Sequence, residues 1–287
     1  MTMVEGPKRP DLMKNELLHE IFVSTAIRYP DKVAIICQNE EITYREFYER
    51  ALRMSYHLRL RNGIGVGSIV GIRLSRSVEL HIFIIAVLLT GGTYVPFDGD
   101  TPEERVMEVL TDLNGILLLV DSNTYINYSI ALNIETLIEK NINENFSSID
   151  INTNSIAYII CTSGSTGKPK SIAITHRSIC HFVRADNEVM QIKHDDIIYQ
   201  GASAAFDLFF EETFLTYLMG ATLVIASKSD ILNTDRLHLF MIRHSITVLF
   251  CVPTLLLLMN NDPALKLRLI NTGGESCPKV FVYIFIN

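Results

Sequence analysis

Apolar residues along the chain switch repeatedly between a helical and a strand period. Leu17, Leu18, Ile21, Phe22, Ala26 and Ile27 form a helical stripe that stops before Pro30. Val33–Cys37 is a short apolar run at strand length. Thr43 stands three residues before Glu46, the spacing of a capping box. It predicts the start of a helix whose stripe is Phe47, Ala51, Met54 and Leu58, ended by Gly63, Gly65 and Gly67. Ile69–Leu74 predicts a strand, and 77–90 a helix apolar nearly all round and therefore buried. Tyr94–Phe97 is the next strand. Pro102 opens a helix through Leu113 at the favoured first-turn position, and Ile116–Val120 is a fully apolar strand.

Strands alternating with helices, several apolar on both faces, predict an α/β fold of parallel sheets covered by helices. Ligands in such folds bind in loops at the carboxyl ends of strands. Residues 121–155 break the alternation. They are rich in Asn, Ser and Ile, with one weak helix near Ile134–Lys140. They read as a surface connection between two halves, about 17–120 and 156–279; a flexible linker between independent domains is the alternative.

Composition narrows the class. The chain has 287 residues, 48% hydrophobic and 20% charged, with a net charge of -7. A globular protein of one large domain or two modest ones fits. The acidic balance argues against a nucleic-acid partner. The five cysteines form no CxxC pair and read as buried thiols in a reducing, cytoplasmic setting. The apolar runs at 80–90, 246–259 and 280–286 fall short of the ~20 residues that span a bilayer, so no membrane partner is expected.

The most informative segment runs from Tyr158 to Lys170. An apolar strand, Ala157–Cys161, enters a loop of small hydroxyl and glycine residues, and a second strand candidate, Ser171–Thr175, leaves it. Gly164 and Gly167 allow close backbone approach. N–H groups and the hydroxyls of Thr162, Ser163, Ser165 and Thr166 donate to an anion, and Lys168 and Lys170 add charge. Together they predict a polyphosphate nest. It is not a Walker A loop, because two residues separate the glycines and Pro169 follows Lys168. An ordinary hairpin turn would be shorter and has no need of lysines.

Thr162-Ser-Gly-Ser-Thr-Gly-Lys-Pro-Lys170 resembles the signature phosphate loop of the adenylate-forming superfamily, which includes acyl-CoA synthetases and the adenylation domains of nonribosomal peptide synthetases. Ile42-Thr-Tyr-Arg-Glu-Phe47, Gly91-Gly-Thr-Tyr-Val-Pro-Phe-Asp98 with Pro102-Glu-Glu-Arg105, Phe206-Asp207 and Gly273-Gly-Glu275 extend the resemblance over nearly all of 17–279. The peptide-synthetase branch is the most similar. The resemblance implies a large N-terminal region with two helix-covered, mostly parallel sheets. It implies ATP and Mg²⁺ as cofactors, activation of a carboxylic or amino acid as acyl adenylate, and transfer to the phosphopantetheine thiol of a carrier domain.

The same resemblance assigns residues. Lys170 would be catalytic. Thr162, Ser163, Gly164, Ser165, Thr166, Gly167, Gly273, Gly274 and Glu275 would bind the nucleotide, with Thr166 also a metal ligand. Asp207 would hold the substrate's α-ammonium group. A buried carboxylate needs a cation; Asp207 also suits the N-cap of a helix over 208–219, and the two roles are compatible. Leu208, Glu211, Phe250, Ile270 and Thr272 would line the pocket, with His176 near the substrate. Glu211 either pairs with a basic or polar side chain or points to solvent from its helix. Gly273 and Gly274 either seat a flat ring or simply turn the chain.

The Tyr-Gly-Pro-Thr-Glu-like segment, the ribose-binding Asp and the mobile C-terminal domain of the family are not found. The chain therefore reads as an incomplete N-terminal region, stopping before the third subdomain, with little or no turnover expected of it alone. An acyl-CoA or aryl-acid ligase and a non-catalytic nucleotide-binding fragment are the alternatives.

Overall fold

The computed structural model describes residues 9–122, 128–138, 149–162, 170–259 and 262–276. In chain order the elements are α1 (Leu18–Arg28), β1 (Val33–Cys37), β2 (Glu40–Thr43), α2 (Tyr44–Asn62), β3 (Ile69–Arg73), α3 (Val78–Leu89), β4 (Thr93–Pro96), α4 (Glu103–Asp112), β5 (Leu117–Val120), β6 (Ala131–Asn133) and α5 (Glu135–Ile138). There follow β7 (Ile156–Thr162), β8 (Lys170–Thr175), α6 (His176–Met190), β9 (Ile197–Gln200), α7 (Leu208–Met219), β10 (Thr222–Ile225), α8 (Lys228–Ile231), α9 (Thr234–Arg243), β11 (Val248–Cys251), α10 (Pro253–Leu257) and β12 (Leu269–Thr272).

Local chemistry sets these boundaries. The Thr43 hydroxyl accepts from the Glu46 amide at 3.2 Å, and the Glu46 carboxylate accepts from the Thr43 amide at 2.8 Å. The capping box thus fixes the start of α2. Gly63, at φ 66°, ends that helix in the left-handed region. Pro102 sits one residue earlier than expected, at the cap of α4, because its ψ of 140° is extended.

The strands form two sheets, β12-β11-β9-β10-β1-β2 and β6-β5-β3-β4-β7-β8. Pairing is parallel except at β1–β2 and β7–β8. The two stretches 17–120 and 156–279 do not each own a sheet. β1 pairs in parallel with β10, Ile35 opposite Leu223, and so brings β2 with it into the sheet of β9–β12. β7 joins β4 and adds β8 to the other sheet. The Asn-rich connection contributes as well: β6 extends the sheet beside β5, and α5 falls where a weak helix was expected.

α3 packs on β3 and β4 of one sheet and on β1 of the other. α7 packs on β9, β10 and β11, while its Phe210 ring stacks on Tyr158 of β7, centroids 3.9 Å apart. Both helices lie between the sheets, and residues of both sheets join them in one continuous core. α9 covers the outer face of one sheet through Leu237, Phe240 and Met241. α4 covers the outer face of the other through Val106, Val109 and Leu110. No helix among the described residues is long and apolar enough to cross a membrane.

Edge strand β12 is anchored at its start by an ion pair between buried Asp196 and solvent-exposed Arg268. Asp196 accepts from the Lys193 amide at 2.6 Å, the Thr247 hydroxyl at 2.8 Å and Arg268 Nε at 2.7 Å. Burial alone would raise the Asp196 pKa, but these bonds and the charge of Arg268 outweigh it and hold the carboxyl below its ordinary value. Arg268→Ala removes the charge paired with Asp196 and is expected to lower stability at pH 7 by about 1–2 kcal/mol, less than for a fully buried pair because Arg268 meets solvent. Urea denaturation reads the difference. A depressed pKa contributes stability above the unfolded value, so the loss should shrink as pH falls through the folded pKa of Asp196.

Candidate nucleotide and substrate site

The carboxyl ends of strands from both sheets meet. Arg76, just after β3, donates to the Gly201 carbonyl at 2.7 Å, just after β9. Ser203 in the same β9–α7 segment bonds to Asp98, just after β4. Lys228 pairs with Asp100 at 2.5 Å. The loops expected to carry chemistry therefore face one another across the junction of the sheets.

β7 and β8 flank the segment expected to bind phosphate. Thr162 stands opposite Lys170 in the antiparallel ladder, and its hydroxyl donates to the Lys170 carbonyl at 3.4 Å. Both residues are exposed. Ser163, Gly164, Ser165, Thr166 and Gly167 lie outside the described residues.

The β9–α7 segment carries Asp207. Its carboxylate caps α7, accepting from the Leu208 amide at 2.9 Å. Asp207 and Phe206 are exposed, and Leu208 is half-buried. One turn on, Glu211 is half-buried and accepts from the Asn271 side-chain amide at 3.0 Å. It therefore faces β12 and does not point away to solvent. Burial pushes Glu211 up to about 7, and the like charges of Asp186 and Asp207 add to this, against the Asn271 bond. Asp186, on α6, is also raised by burial, and its Oδ2 is buried without a hydrogen-bond partner.

The pocket register differs from expectation on β12. Phe250 and Asn271 are paired across β11–β12, and Phe250 belongs to the core shared with α7. Ile270 instead packs with Leu249 and Cys251 on the opposite face, toward α9. Strand alternation puts Thr272 on the same side as Ile270. Asn271 is thus the β12 residue that joins Glu211, and only its contact with Glu211 distinguishes it from an ordinary strand polar residue.

His176 begins α6 and is fully buried. Its Nδ1 accepts from the Leu18 amide at 3.0 Å, and its ring meets His19 edge-on at 6.0 Å. Burial lowers it to about 4, so it is a neutral core group that ties α6 to α1. Its ring is packed inside the core and does not line the open junction.

Gly273 and Gly274 follow β12. Gly274 turns at φ +83°, and a Cβ on Gly273 would meet nothing within 4 Å. Among the described residues nothing covers the backbone on that side of Gly273. Glu275 accepts from the Thr254 hydroxyl at 2.7 Å and the Thr254 amide at 3.3 Å, tying this turn to α10. Among the described residues no group of three or more His, Cys, Asp or Glu is arranged to hold a metal. Thr166, the expected ligand, lies outside them.

An α/β frame of two mostly parallel sheets, with a Gly-Ser-Thr loop and a Gly-Gly-Glu turn at their carboxyl ends, defines a nucleotide-binding class. The chain belongs to the AMP-binding enzyme family, whose model matches residues 22–285. It is 41% identical over 98% of its length to the delta-poly-L-ornithine synthetase of Acinetobacter baumannii. It spans only 21% of that relative. The N-terminal subdomain of Klebsiella oxytoca NpsA, solved with 3-hydroxybenzoyl-AMSN, superposes with a TM-score of 0.84 at 26% identity. That match covers 95% of this chain and 70% of NpsA. The AMPPNP-bound form of the nonribosomal peptide synthetase FmoA3 superposes with a TM-score of 0.85 at 25% identity, over 93% of this chain and 30% of that one. The chain thus corresponds to the N-terminal portion of a peptide-synthetase adenylation domain.

The raised carboxyl has a stability consequence. A group whose folded pKa exceeds its unfolded value contributes stability at low pH and loses it as pH rises through the folded pKa. Glu211→Gln keeps an acceptor for Asn271 and removes the charge. It is expected to melt above the parent chain at pH 8, by less at pH 6, and close to it only near pH 4, below the unfolded carboxyl value, read by differential scanning fluorimetry.

Proposed function

We propose that this chain binds ATP and an amino acid with a second, side-chain ammonium group, and forms the aminoacyl adenylate within a longer synthetase. The observation that carries the reading is the half-buried Glu211 facing β12, one helical turn beyond Asp207. Two carboxylates one helical turn apart, near enough for Asp207 to raise Glu211, call for two cations. Asp207 takes the α-ammonium and Glu211 the side-chain ammonium, with Asp186 adding negative potential. The relative at 41% identity is a synthetase of a polymer of ornithine, a diamino acid, which supports the same assignment.

In the reaction, the substrate carboxylate attacks the α-phosphorus of ATP and pyrophosphate leaves. The phosphopantetheine thiol of a carrier domain, losing its proton, then attacks the acyl carbonyl, and AMP leaves as the acyl–phosphate bond breaks. The loop between β7 and β8 contributes N–H and hydroxyl donors, and Lys170 a positive charge, to the polyphosphate as negative charge shifts onto the leaving group. The Gly273–Gly274 turn seats the adenine. Mg²⁺, when bound, supplies further neutralisation of the phosphates, with Thr166 as its proposed ligand. The proposed setting is the cytoplasm.

Binding of non-hydrolysable sulfamoyl-adenosine analogues, measured by isothermal calorimetry, tests the assignment on the chain itself. The ornithyl analogue should bind at least tenfold tighter than the norvalyl analogue, which lacks the δ-ammonium. Glu211→Gln should erase most of that difference. A salicyl analogue that outcompetes the ornithyl one would sink the proposal in favour of an aryl acid. Because a cation needs the ionised Glu211, ornithyl affinity should weaken as pH falls from 8 to 6, while norvalyl affinity changes less.

A further inference from the structure

Glu212 lies in the second turn of α7 and is fully buried. A buried carboxylate is costly unless its lone pairs find donors. Glu212 finds them all in the segment just upstream of its own helix. Gln200 Nε2 donates to Oε2 at 2.9 Å, and the Gly201 amide donates to Oε1 at 3.2 Å. The Ala202 amide donates to both oxygens, at 3.2 and 3.1 Å. Successive backbone N–H groups turned onto one anion form a nest. Here the anion belongs to the protein.

The nest is gripped from the other sheet as well. Arg76 donates to the Gln200 side-chain oxygen at 3.4 Å and to the Gly201 carbonyl. Gln200 Nε2 also donates to the Ala202 carbonyl at 2.7 Å. Gly201 admits no side chain, because a Cβ there would lie 2.2 Å from the Tyr199 ring. From this root the chain folds tightly toward Asp207. The Ser203 hydroxyl accepts from the Ala205 amide at 3.1 Å, and the Phe206 amide donates to the Ser203 carbonyl at 3.0 Å. Glu212 thus holds one end of a short closed segment, and the α7 cap holds the other.

We propose that Glu212 is a positioning residue that fixes Asp207 for the substrate's α-ammonium, acting through the backbone of residues 200–202. The proposal rests on the substrate reading of Asp207. Every partner of Glu212 in this nest is a donor, so only an ionised carboxylate serves all of them. A leucine would leave the Gly201 and Ala202 amides and Gln200 Nε2 without this acceptor. A glutamine would aim its own N–H groups at donors. Burial pushes Glu212 up to about 7, opposed by its bonds to Gly201, Gln200 and Ala202 and by the charge of Arg76; Tyr199 and Cys251 also face it. The carboxyl is held against a strong desolvation cost, which a purely space-filling position would not require. Small displacements of a positioning group are costly to recognition, because an ammonium–carboxylate bond weakens steeply with geometry.

The test uses two ligands on the chain: ornithyl-sulfamoyl adenosine and its 5-aminopentanoyl counterpart, which lacks only the α-ammonium. Calorimetry gives the ratio of their affinities. Asp207→Asn should collapse the ratio. Glu212→Gln should lower it at least tenfold while binding of the 5-aminopentanoyl ligand stays within threefold. Glu212→Asp, which keeps the charge, should recover part of the ratio. A purely structural contribution weakens both ligands alike, so a ratio within twofold of the parent value overturns the proposal. If Asp207→Asn leaves the ratio unchanged, the substrate reading itself fails and the proposal with it. Should Glu212→Gln not fold, Gln200→Ala carries the test: it removes one donor and keeps the backbone bonds. It should lower the ratio about threefold, and an unchanged ratio again overturns the proposal. Hydrogen exchange supplies an independent readout. Amides of 201–206 should exchange faster in Glu212→Gln, with those of 93–97 unaffected; equal protection of 201–206 in both proteins counts against it.

Discussion

Two helices in this fold are covered by protein on nearly every side. α3 and α7 lie between the sheets, so a polar group on either is costly unless it finds a partner inside the protein. This constraint organises the rest. It explains the apolar sequence of both helices, and it singles out the polar residues they carry. Tyr217 of α7 bonds to His81 of α3 at 2.9 Å and links the two helices directly. Glu212 of α7 gathers the start of its own preceding segment. On a helix with a solvent face, either residue would be unremarked; between two sheets each is a structural commitment.

The same layer places the chemistry. Because α7 starts at the junction of the sheets, its first turn emerges from the core at Asp207 and Glu211. The outermost carboxylate is exposed, the next half-buried and the third fully buried. Their environments grade accordingly, from a cap that can reach a ligand to a nest that cannot. Recognition and rigidity are thus adjacent on one helix, and strengthening one by removing charge should weaken the other.

Much of this was legible in the sequence because the signals are local. The Thr43–Glu46 box, the strand–loop–strand around 158–170 and the helix after Asp207 each rest on residues a few positions apart. What was not legible is non-local. β2 is a short edge strand bearing Glu40 and Glu41, and β6 is three residues long, so neither shows a period. The exchange of strands between the sequence stretches depends on which edges meet in space. The face of β12 depends on where alternation starts, and a one-residue slip exchanges Ile270 for Asn271. Glu212 looks like an ordinary helix glutamate until the layer on either side of it is known.

The strand exchange also bears on how the protein is made. β1 leaves the ribosome well before its sheet neighbour β10; the Thr222 hydroxyl reaches the Val33 carbonyl across 189 residues. At ordinary translation speeds the wait is roughly 10–40 s. Through that interval β1, whose Ala34 and Ile35 are fully buried in the finished fold, has β2 along one edge and no strand along the other. The nascent chain therefore presents an open apolar strand edge until β10 emerges.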